Sequence, residues 1–244
     1  SGGSVVTGSI TPPTRNAAFE AKKELLMMVA KKWETDSDQL ILEDGHVKHK
    51  ADADKKMTFK EATKLMRTSQ ISKVASRSDD YEGFQQPWGL AYGDLGSVQF
   101  AEVTVNTDTG FVKVDKVVAA HSCGRPLNMG QLESQINGGV IQGVSYALYE
   151  NRVMDKGTGH MMNANVDQYK TPFSMEIPEI ENLIIEEYSA RSSTDAYGIG
   201  EPANIATAAA IANAVYNAIG VRIYEIPITP ASILEALNKV DQRA

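Results

Sequence analysis

The stretch Tyr197-Gly198-Ile199-Gly200-Glu201-Pro202, followed by the apolar run 203–219, predicts a glycine-rich turn that leads into a buried helix. Pro202 suits the first helical position, because its missing N–H would have no partner there. A 3.6-residue apolar period indicates one packed helix face, formed by Ile205, Ala208, Ile211, Ala212, Val215 and Ile219. Glu201 is therefore expected at the positive end of a buried helix, beside two glycines that allow close backbone approach.

The carboxylate of Glu201 has two interpretations at this position. It could stay ionised in a partly dry pocket, as a general base requires. Acidic residues are also common near helix N-termini, where most of them only cap the helix. The segment alone leaves both interpretations open.

The composition is that of a globular protein of ordinary charge. The chain has 244 residues, of which 42% are hydrophobic and 23% charged, and its formal net charge is −7. This negative balance argues against nucleic acid or an anionic membrane as the main partner. No apolar stretch approaches the ~20 residues that a membrane-spanning helix needs. We therefore expect neither a nucleic-acid partner nor a membrane span.

Two features bear on where the protein works. The start, Ser1-Gly2-Gly3-Ser4, lacks the basic and apolar regions of a signal peptide and suggests an internal piece of a longer chain. The single cysteine, Cys123, excludes an internal disulfide and fits a reducing compartment. We expect a cytoplasmic protein, although a periplasmic enzyme could share this cysteine count.

Hairpins and helices are mixed along the chain without regular βαβ alternation, which predicts an α+β fold. Helices are expected at 16–33, 58–68, 131–150, 203–219 and 231–240. Strands are expected at 39–42, 46–50, 97–106, 111–120, 183–188 and 221–226, of which the first four form two hairpins. Residues 1–14 are expected to form an extended loop. The chain 1–244 is interpreted as one domain, or as two subdomains with a break near 69–96.

Two short patterns stand out inside the expected helices. Thr58 and Glu61 have the spacing of a capping box at the start of helix 58–68. Helix 131–150 carries Gly138, Gly139 and Gly143, and each glycine costs ~1 kcal/mol against alanine in a helix interior. Three of them indicate that something packs very close to this helix, either another helix or a ligand.

Protein-derived metal sites and common nucleophile motifs are not indicated. His46 and His49 lie on a lysine-flanked hairpin, which favours a solvated face. His121 and Cys123 lie at a strand end, where packing is the simpler interpretation than a nucleophile pair. The sequence has no Gly-x-Ser-x-Gly motif, no Walker loop and no zinc-finger spacing. Any metal would therefore be held by an organic cofactor and not directly by the protein.

Three stretches occur in order along the chain: Ser122-Cys123-Gly124-Arg125-Pro126-Leu127-Asn128, residues 134–143 and Gly198-Ile199-Gly200-Glu201-Pro202. Taken together, they resemble the molybdenum hydroxylases, the family of xanthine dehydrogenase, aldehyde oxidoreductase and carbon monoxide dehydrogenase. The likeness runs along the whole chain and corresponds to the C-terminal third of the usual molybdenum-binding subunit. The resemblance implies the second half of the cofactor-binding domain, in a chain that is cleaved, split, truncated or separately encoded.

The resemblance assigns roles to individual residues. It implies that Glu201, in the family's Gly-x-Gly-Glu motif with Gly198 and Gly200, takes a proton from hydroxide on molybdenum, for which an ordinary or slightly raised pKa suffices. Gln135 matches the glutamine that contacts the pterin, with Ser134 in place of the usual glycine and Asn137 in place of a frequently larger polar residue. Close packing on a flat cofactor would also explain Gly138 and Gly139. The remaining candidates for binding cofactor oxygens through backbone amides are Gly2, Gly3 and Ser4, with Gly8-Ser9 as an alternative register.

The resemblance also implies cofactors and partners. The cofactor would be molybdopterin, in its cytosine dinucleotide form, carrying molybdenum. Electrons would leave through [2Fe-2S] clusters on an iron–sulfur subunit and FAD on a flavin subunit, beside the remainder of the molybdenum subunit. The substrate would be a purine or another N-heterocycle such as nicotinate, with an aldehyde as the alternative. A hypothesis of another class is a non-catalytic module that binds or assembles the cofactor.

Overall fold

The structure is a computed structural model that describes residues 3–4, 6–76, 80–81, 84–85, 95–186 and 195–241. It divides into a larger unit, composed of Ser1–Thr7, Gly89–Ser189 and Asp195–Ala244, and a smaller unit, composed of Gly8–Trp88 and Ala190–Thr194. Each unit combines helices with β-sheet, as the α+β prediction requires. Within the described residues, no helix combines the length and apolar character needed to cross a membrane.

The smaller unit packs a long helix against a three-stranded antiparallel sheet. Helix α1 is Val6–Trp33, of which Gly8–Trp33 belong to this unit. The strands are β1 (Leu40–Glu43), β2 (His46–His49) and β3 (Lys56–Thr58). The strand order is β1-β2-β3. A one-turn helix α2 (Phe59–Thr63) follows, and later β4 (Asp80–Tyr81) pairs with β5 (Phe84–Gln85). The buried core of this unit consists of Leu25, Leu26, Val29, Ala30, Leu40, Val47, Met57 and Ala62.

Local signals in the smaller unit are confirmed, whereas two of its element boundaries differ from prediction. The β1–β2 hairpin and its Asp44-Gly45 turn are present, both turn residues having positive φ. Residues 6–14, expected as an extended loop, are helical. Pro12 and Pro13 lie inside α1, which therefore continues with two backbone donors missing. Helix α2 ends at Thr63 and not at 68, because the next N–H groups, of Leu65 and Met66, close three-residue turns.

The larger unit is built on a mixed three-stranded sheet. Strands β6 (Gly96–Val105) and β7 (Val112–Ser122) form the expected antiparallel hairpin, with a register shift at 102/103. Strand β8 (Glu179–Ile185) begins earlier than predicted and pairs in parallel with β7, giving the order β6-β7-β8. A parallel pair needs a long crossover connection, and helix α3 (Met129–Leu148), capped by Asn128, lies in it.

The C-terminal helices of the larger unit differ from prediction at one junction and one strand. The expected helix 203–219 is divided into α4 (Pro202–Ile205) and α5 (Thr207–Ile219), with Ala206 between them. Because of this break, Ile205 is 71% exposed and does not join the predicted apolar face. The strand predicted at 221–226 is wrong: Gly220 ends α5 with positive φ, and Ile223 packs against the core from an irregular segment. Helix α6 (Pro230–Asp241) follows.

One apolar core joins the sheet of the larger unit to its helices. Its most deeply buried side chains come from β7, α3, α5 and α6 and are Val117, Ile136, Val140, Val144, Ile211, Val215 and Ile233. Burying a side chain of this size stabilises a fold by roughly 1.5–3 kcal/mol. The core fixes the positions of the β7 end, of α3 and of the turn before α4, which together form the candidate site.

Candidate active site

Glu201 lies at the start of α4 and is held by a residue from the other end of the chain. The hydroxyl of Ser4 donates a hydrogen bond to Oε2 of Glu201. In return, the backbone N–H of Glu201 donates to Ser4 Oγ at 3.2 Å. This reciprocal pair orients an otherwise exposed carboxylate.

The hydrogen bonds around Glu201 favour its charged form. The Ser4 hydroxyl, followed by the backbone N–H of Glu201 and that of Gly3, lowers the pKa of the carboxyl below its ordinary value. Slight desolvation acts in the opposite direction and is outweighed. An ordinary or slightly raised pKa would suffice for the role that the resemblance implies, and the Ser4 contact, which sequence spacing does not show, gives a lowered one. The carboxylate is therefore ionised at neutral pH.

Gly198 and Gly200 make room for Ser4. A side chain at Gly198 would overlap the Ser4 carbonyl oxygen, and a Cβ at Gly200 would lie 2.6 Å from Ser4 Oγ. The overlap at Gly198 involves backbone and could be relieved only by moving it, whereas the overlap at Gly200 could be relieved by rotating the Ser4 hydroxyl away from Glu201. The two glycines therefore permit the contact between Ser4 and Glu201.

The turn is anchored to the end of β7. The N–H of Arg125 donates to the carbonyl of Asp195 at 2.8 Å, and the N–H of Tyr197 donates to the carbonyl of Cys123 at 3.0 Å. Between them Gly124 has a φ of +69°, and a Cβ there would collide with the Asp195 carbonyl. The motif 122–128 thus contacts the turn that carries Glu201.

Helix α3 approaches the same turn with the residues that the sequence singled out. Nε2 of Gln135 lies 3.4 Å from the carbonyl oxygen of Gly200. A Cβ at Gly139 would lie 2.5 Å from Cβ of Ala203 in α4, and one at Gly143 would overlap Thr207 of α5. Helix–helix contact therefore accounts for these two glycines. Gly138 faces open space and has no neighbour within 4 Å of such a Cβ.

Two adjoining clefts are lined by the predicted residues. The first has a volume of about 340 Å³ and includes Gln135 and Gly198. The second, of about 270 Å³, includes Ser4, Gly200 and Glu201. Thr7, Gly198 and Ile199 line both clefts. Gly2 lies outside the described residues, and Gly3 contributes only its backbone to the Glu201 carboxylate.

The lining residues of the first cleft that were not predicted individually include Arg125, Asn128 and Gln131. The available signal was spacing, because Gln131 precedes Gln135 by one helical turn and shares its face. Gln131 and Gln135 each provide an amide donor and an amide acceptor, which suit the alternating edge of a pterin. The guanidinium of Arg125 suits a phosphate. The donor set of this cleft therefore fits molybdopterin.

Within the described ranges, the other titratable groups do not form a second centre. The thiol of Cys123 is 2% exposed, and burial raises its pKa. Burial also lowers the pKa of His121, whose Nε2 lies 3.1 Å from Ser97 Oγ. His46 and His49 hydrogen-bond Asp44 and Thr35 in the smaller unit. In the part of the chain that the structure describes, no group of three or more His, Cys, Asp or Glu side chains could hold a metal ion.

Residues 1–178 match the family model described as "Molybdopterin cofactor-binding domain". This match ends before Glu201, so it carries no statement about the base. The large subunit of nicotine 6-hydroxylase from Paenarthrobacter nicotinovorans is 28% identical over 230 residues, which are 92% of this chain and 28% of that subunit. The aldehyde oxidoreductase molybdenum-binding subunit PaoC from Escherichia coli K12 is 37% identical over 142 residues, which are 58% of this chain and 19% of PaoC.

The fold of a solved structure agrees with these matches. Reconstituted CO dehydrogenase from Oligotropha carboxidovorans superposes with a TM-score of 0.81 at 19% identity, over 100% of this chain and 30% of that one. The chain thus spans less than a third of the length of each of these proteins. At this identity the structural likeness shows the fold alone.

Proposed function

The chain belongs to the molybdopterin cofactor-binding domain family, and from this membership we propose that it forms one wall of a molybdopterin site and supplies the base Glu201 to a molybdenum-dependent hydroxylase. The observation that carries the proposal is the Glu201 carboxylate, held by Ser4 beside the two clefts. An ionised carboxylate at the edge of a cofactor cleft is placed to accept a proton.

The side chains of this chain would divide the work as follows. Gln131 and Gln135 would hold the pterin by amide hydrogen bonds, and Arg125 would neutralise a phosphate at the same cleft. When bound, the cofactor would supply oxygen transfer and two-electron redox chemistry. Glu201 would take up the proton released from the attacking oxygen at its carboxylate, which the Ser4 hydroxyl keeps in the deprotonated form.

The proposed cofactor is the cytosine dinucleotide form of molybdopterin. Acid release of nucleotide from the purified enzyme, followed by chromatography, is the test. Cytidine monophosphate in a one-to-one ratio with molybdenum would support this form, and its absence would leave the shorter pterin.

We further propose that the chain works with other subunits: the remainder of the molybdenum subunit, an iron–sulfur subunit with [2Fe-2S] clusters and an FAD subunit. Support comes from the relatives, which are described as a large subunit and a molybdenum-binding subunit. Co-purification from native extract, with iron and flavin analysis, tests this assembly.

The proposed substrate is an electron-poor N-heterocycle such as a purine or nicotinate. The nicotine 6-hydroxylase relative supports it, because the similarity covers 92% of this chain. An aldehyde is the second candidate, supported by the higher identity of PaoC over 58% of the chain. A screen of purines, pyridines and aldehydes with an artificial electron acceptor separates the two.

The direct test of the base is Glu201→Gln in the assembled enzyme. A lost general base lowers kcat by roughly 10²–10⁴-fold, with molybdenum and pterin content unchanged. The matched control is Glu133→Gln, an exposed glutamate of α3, which should retain normal turnover. Near-normal turnover of Glu201→Gln would remove Glu201 as the base. An assembled wild-type enzyme that binds pterin and turns over no substrate would favour the non-catalytic module.

A further inference from the structure

A buried glutamine of the sheet holds the junction between α4 and α5. Gln99 lies on the inner face of β6 and is 7% exposed. Its Nε2 donates to the carbonyl oxygen of Ala203 at 2.7 Å. Its Oε1 accepts a hydrogen bond from the hydroxyl of Thr207 at 2.5 Å. Both Ala203 and Thr207 are fully buried.

The break at Ala206 explains why this junction needs a side-chain partner. α4 is a single turn, and the chain leaves helical continuity before α5 begins at Thr207. A buried carbonyl such as that of Ala203 must find a donor, because an unpaired one is costly. Gln99 supplies that donor while its amide oxygen satisfies Thr207. With both ends of the amide engaged, only one orientation of the side chain is satisfied.

Helix α3 presses on the same two residues from another side. Gly139 lies against Ala203, and Gly143 lies against Thr207. The junction is thus clamped between β6 and α3. Ala203 is two residues beyond Glu201, and the short helix α4 links them.

We propose that Gln99 is a positioning residue for Glu201: by bridging Ala203 and Thr207 it fixes α4, and through α4 the turn that presents the carboxylate to Ser4. Gln99 does not contact the clefts that would hold cofactor or substrate, and it acts through the backbone of α4. This inference rests on the proposed role of Glu201 and adds a residue that no motif contains.

The test compares four variants of the assembled enzyme. Gln99→Met keeps the length of the side chain and removes both hydrogen bonds. Thr207→Val keeps the β-branched shape against Gly143 and removes the hydroxyl, whereas Thr207→Ser keeps the hydroxyl. Ile233→Val in α6 is the control for general destabilisation, since it trims the same core away from the turn.

Two readouts separate positioning from plain stability: hydrogen exchange of the 198–206 backbone, and kcat and KM measured separately. We expect Thr207→Val, which loses one buried hydrogen bond, to speed exchange about tenfold and to lower kcat about tenfold at unchanged KM. Gln99→Met, which loses two, should change both readouts in the same direction by at least as much. Thr207→Ser should restore both within about twofold. Ile233→Val should lower the melting temperature and leave both readouts unchanged.

The inference is overturned if Gln99→Met and Thr207→Val behave like Ile233→Val. If Gln99→Met does not fold, the inference is tested by comparing Thr207→Val with Thr207→Ser in the same two readouts. Failure of the proposed function looks different, since Glu201→Gln would then keep its turnover while exchange at 198–206 still responded to Gln99.

Discussion

Glu61 and Glu201 are held by nearly the same arrangement of atoms, yet one arrangement is local and the other joins distant parts of the chain. In the smaller unit, Glu61 accepts hydrogen bonds from the N–H and hydroxyl of Thr58, three residues away, and its own N–H donates to that hydroxyl. In the larger unit, Ser4 gives Glu201 the same reciprocal pair across 197 residues. Both carboxyls have a lowered pKa: that of Glu61 is lowered first by the Thr58 N–H and then by the Thr58 hydroxyl, and that of Glu201 first by the Ser4 hydroxyl.

The two carboxylates differ in how much of the fold each one depends on. The Thr58–Glu61 box satisfies the first donors of α2, so its effect is confined to that helix. The Ser4–Glu201 pair depends on glycines at 198 and 200, on the β7 end and on α3, all of which must be in place first. Changes to supporting residues should therefore reach Glu201 and leave Glu61 untouched.

The largest effect is expected from Gly139→Ala, because the new methyl group meets the backbone of α4 as well as its side chain. Overpacking of this kind costs about 1–3 kcal/mol and should also displace the Glu201 turn. Calorimetric melting of the enzyme measures the loss. The matched control is the neighbouring Gly138→Ala, which meets open space and should stabilise α3 by up to about 1 kcal/mol.

The Gly138→Ala control also sharpens the cofactor prediction at this position. If the pterin lies against Gly138, the stabilised variant should bind less molybdenum. A stabilised variant with full molybdenum content would remove Gly138 from the cofactor contacts. A Gly139→Ala variant as stable as the parent would show that α4 can move away from α3 without cost. It would contradict the claim that the Ser4–Glu201 pair depends on this packing.

The next largest effect is expected from Thr58→Ala. Loss of this cap should destabilise the smaller unit by about 1 kcal/mol, because the backbone N–H of Glu61 loses its acceptor, the Thr58 hydroxyl. Turnover and hydrogen exchange at 198–206 should remain as in the parent. A change in either would show that the effect of the cap extends beyond α2 and would contradict its local character.

The smallest effect is expected from Ser4→Ala, read as a pH dependence. Without the hydroxyl the pKa of Glu201 should rise, so the acid limb of the kcat profile should move to higher pH. The stability of the fold should shift with pH in the same direction. A lowered folded-state pKa contributes stability above the unfolded pKa, and this is lost as pH falls through the folded value. Acid unfolding of Ser4→Ala should therefore begin at higher pH.

Thr58→Ala is the matched control for this pH measurement. It should raise the pKa of Glu61 in the same direction and leave the acid limb of kcat in place. If the kcat–pH profile of Ser4→Ala coincided with that of the parent, Glu201 would not be the group whose protonation limits kcat at low pH.

Whether a feature could be predicted from the sequence depends on how far apart in the sequence its contacting residues lie. Three features depend on residues that are close together in the sequence, and all three are present. They are the Thr58–Glu61 capping box, the Asp44-Gly45 turn and the β6–β7 hairpin. The family resemblance of the three motifs is confirmed by the family-model match and by the named relatives, and the α+β fold by the structure.

The features that escaped prediction depend on partners far along the chain. Proline at 12 and 13 indicated a loop, although α1 continues through both. The parallel register of β8 is set by β7, some sixty residues earlier, and the apolar alternation at 221–226 forms no strand in the described part of the chain. The contacts of Gln99 with Ala203 and of Ser4 with Glu201 carry no local pattern at all. The roles of Glu201, Gln135 and the glycines remain predictions.

The wide sequence separation of Ser4 and Glu201 has a consequence for how the protein folds. Closing a chain loop of this size is entropically unfavourable, so contacts of low sequence separation such as the β6–β7 hairpin should form earlier. Glu201 would then acquire its partner among the final steps. Pulse-labelling of amides during refolding should accordingly protect the hairpin well before the N–H of Glu201, and simultaneous protection would contradict this order.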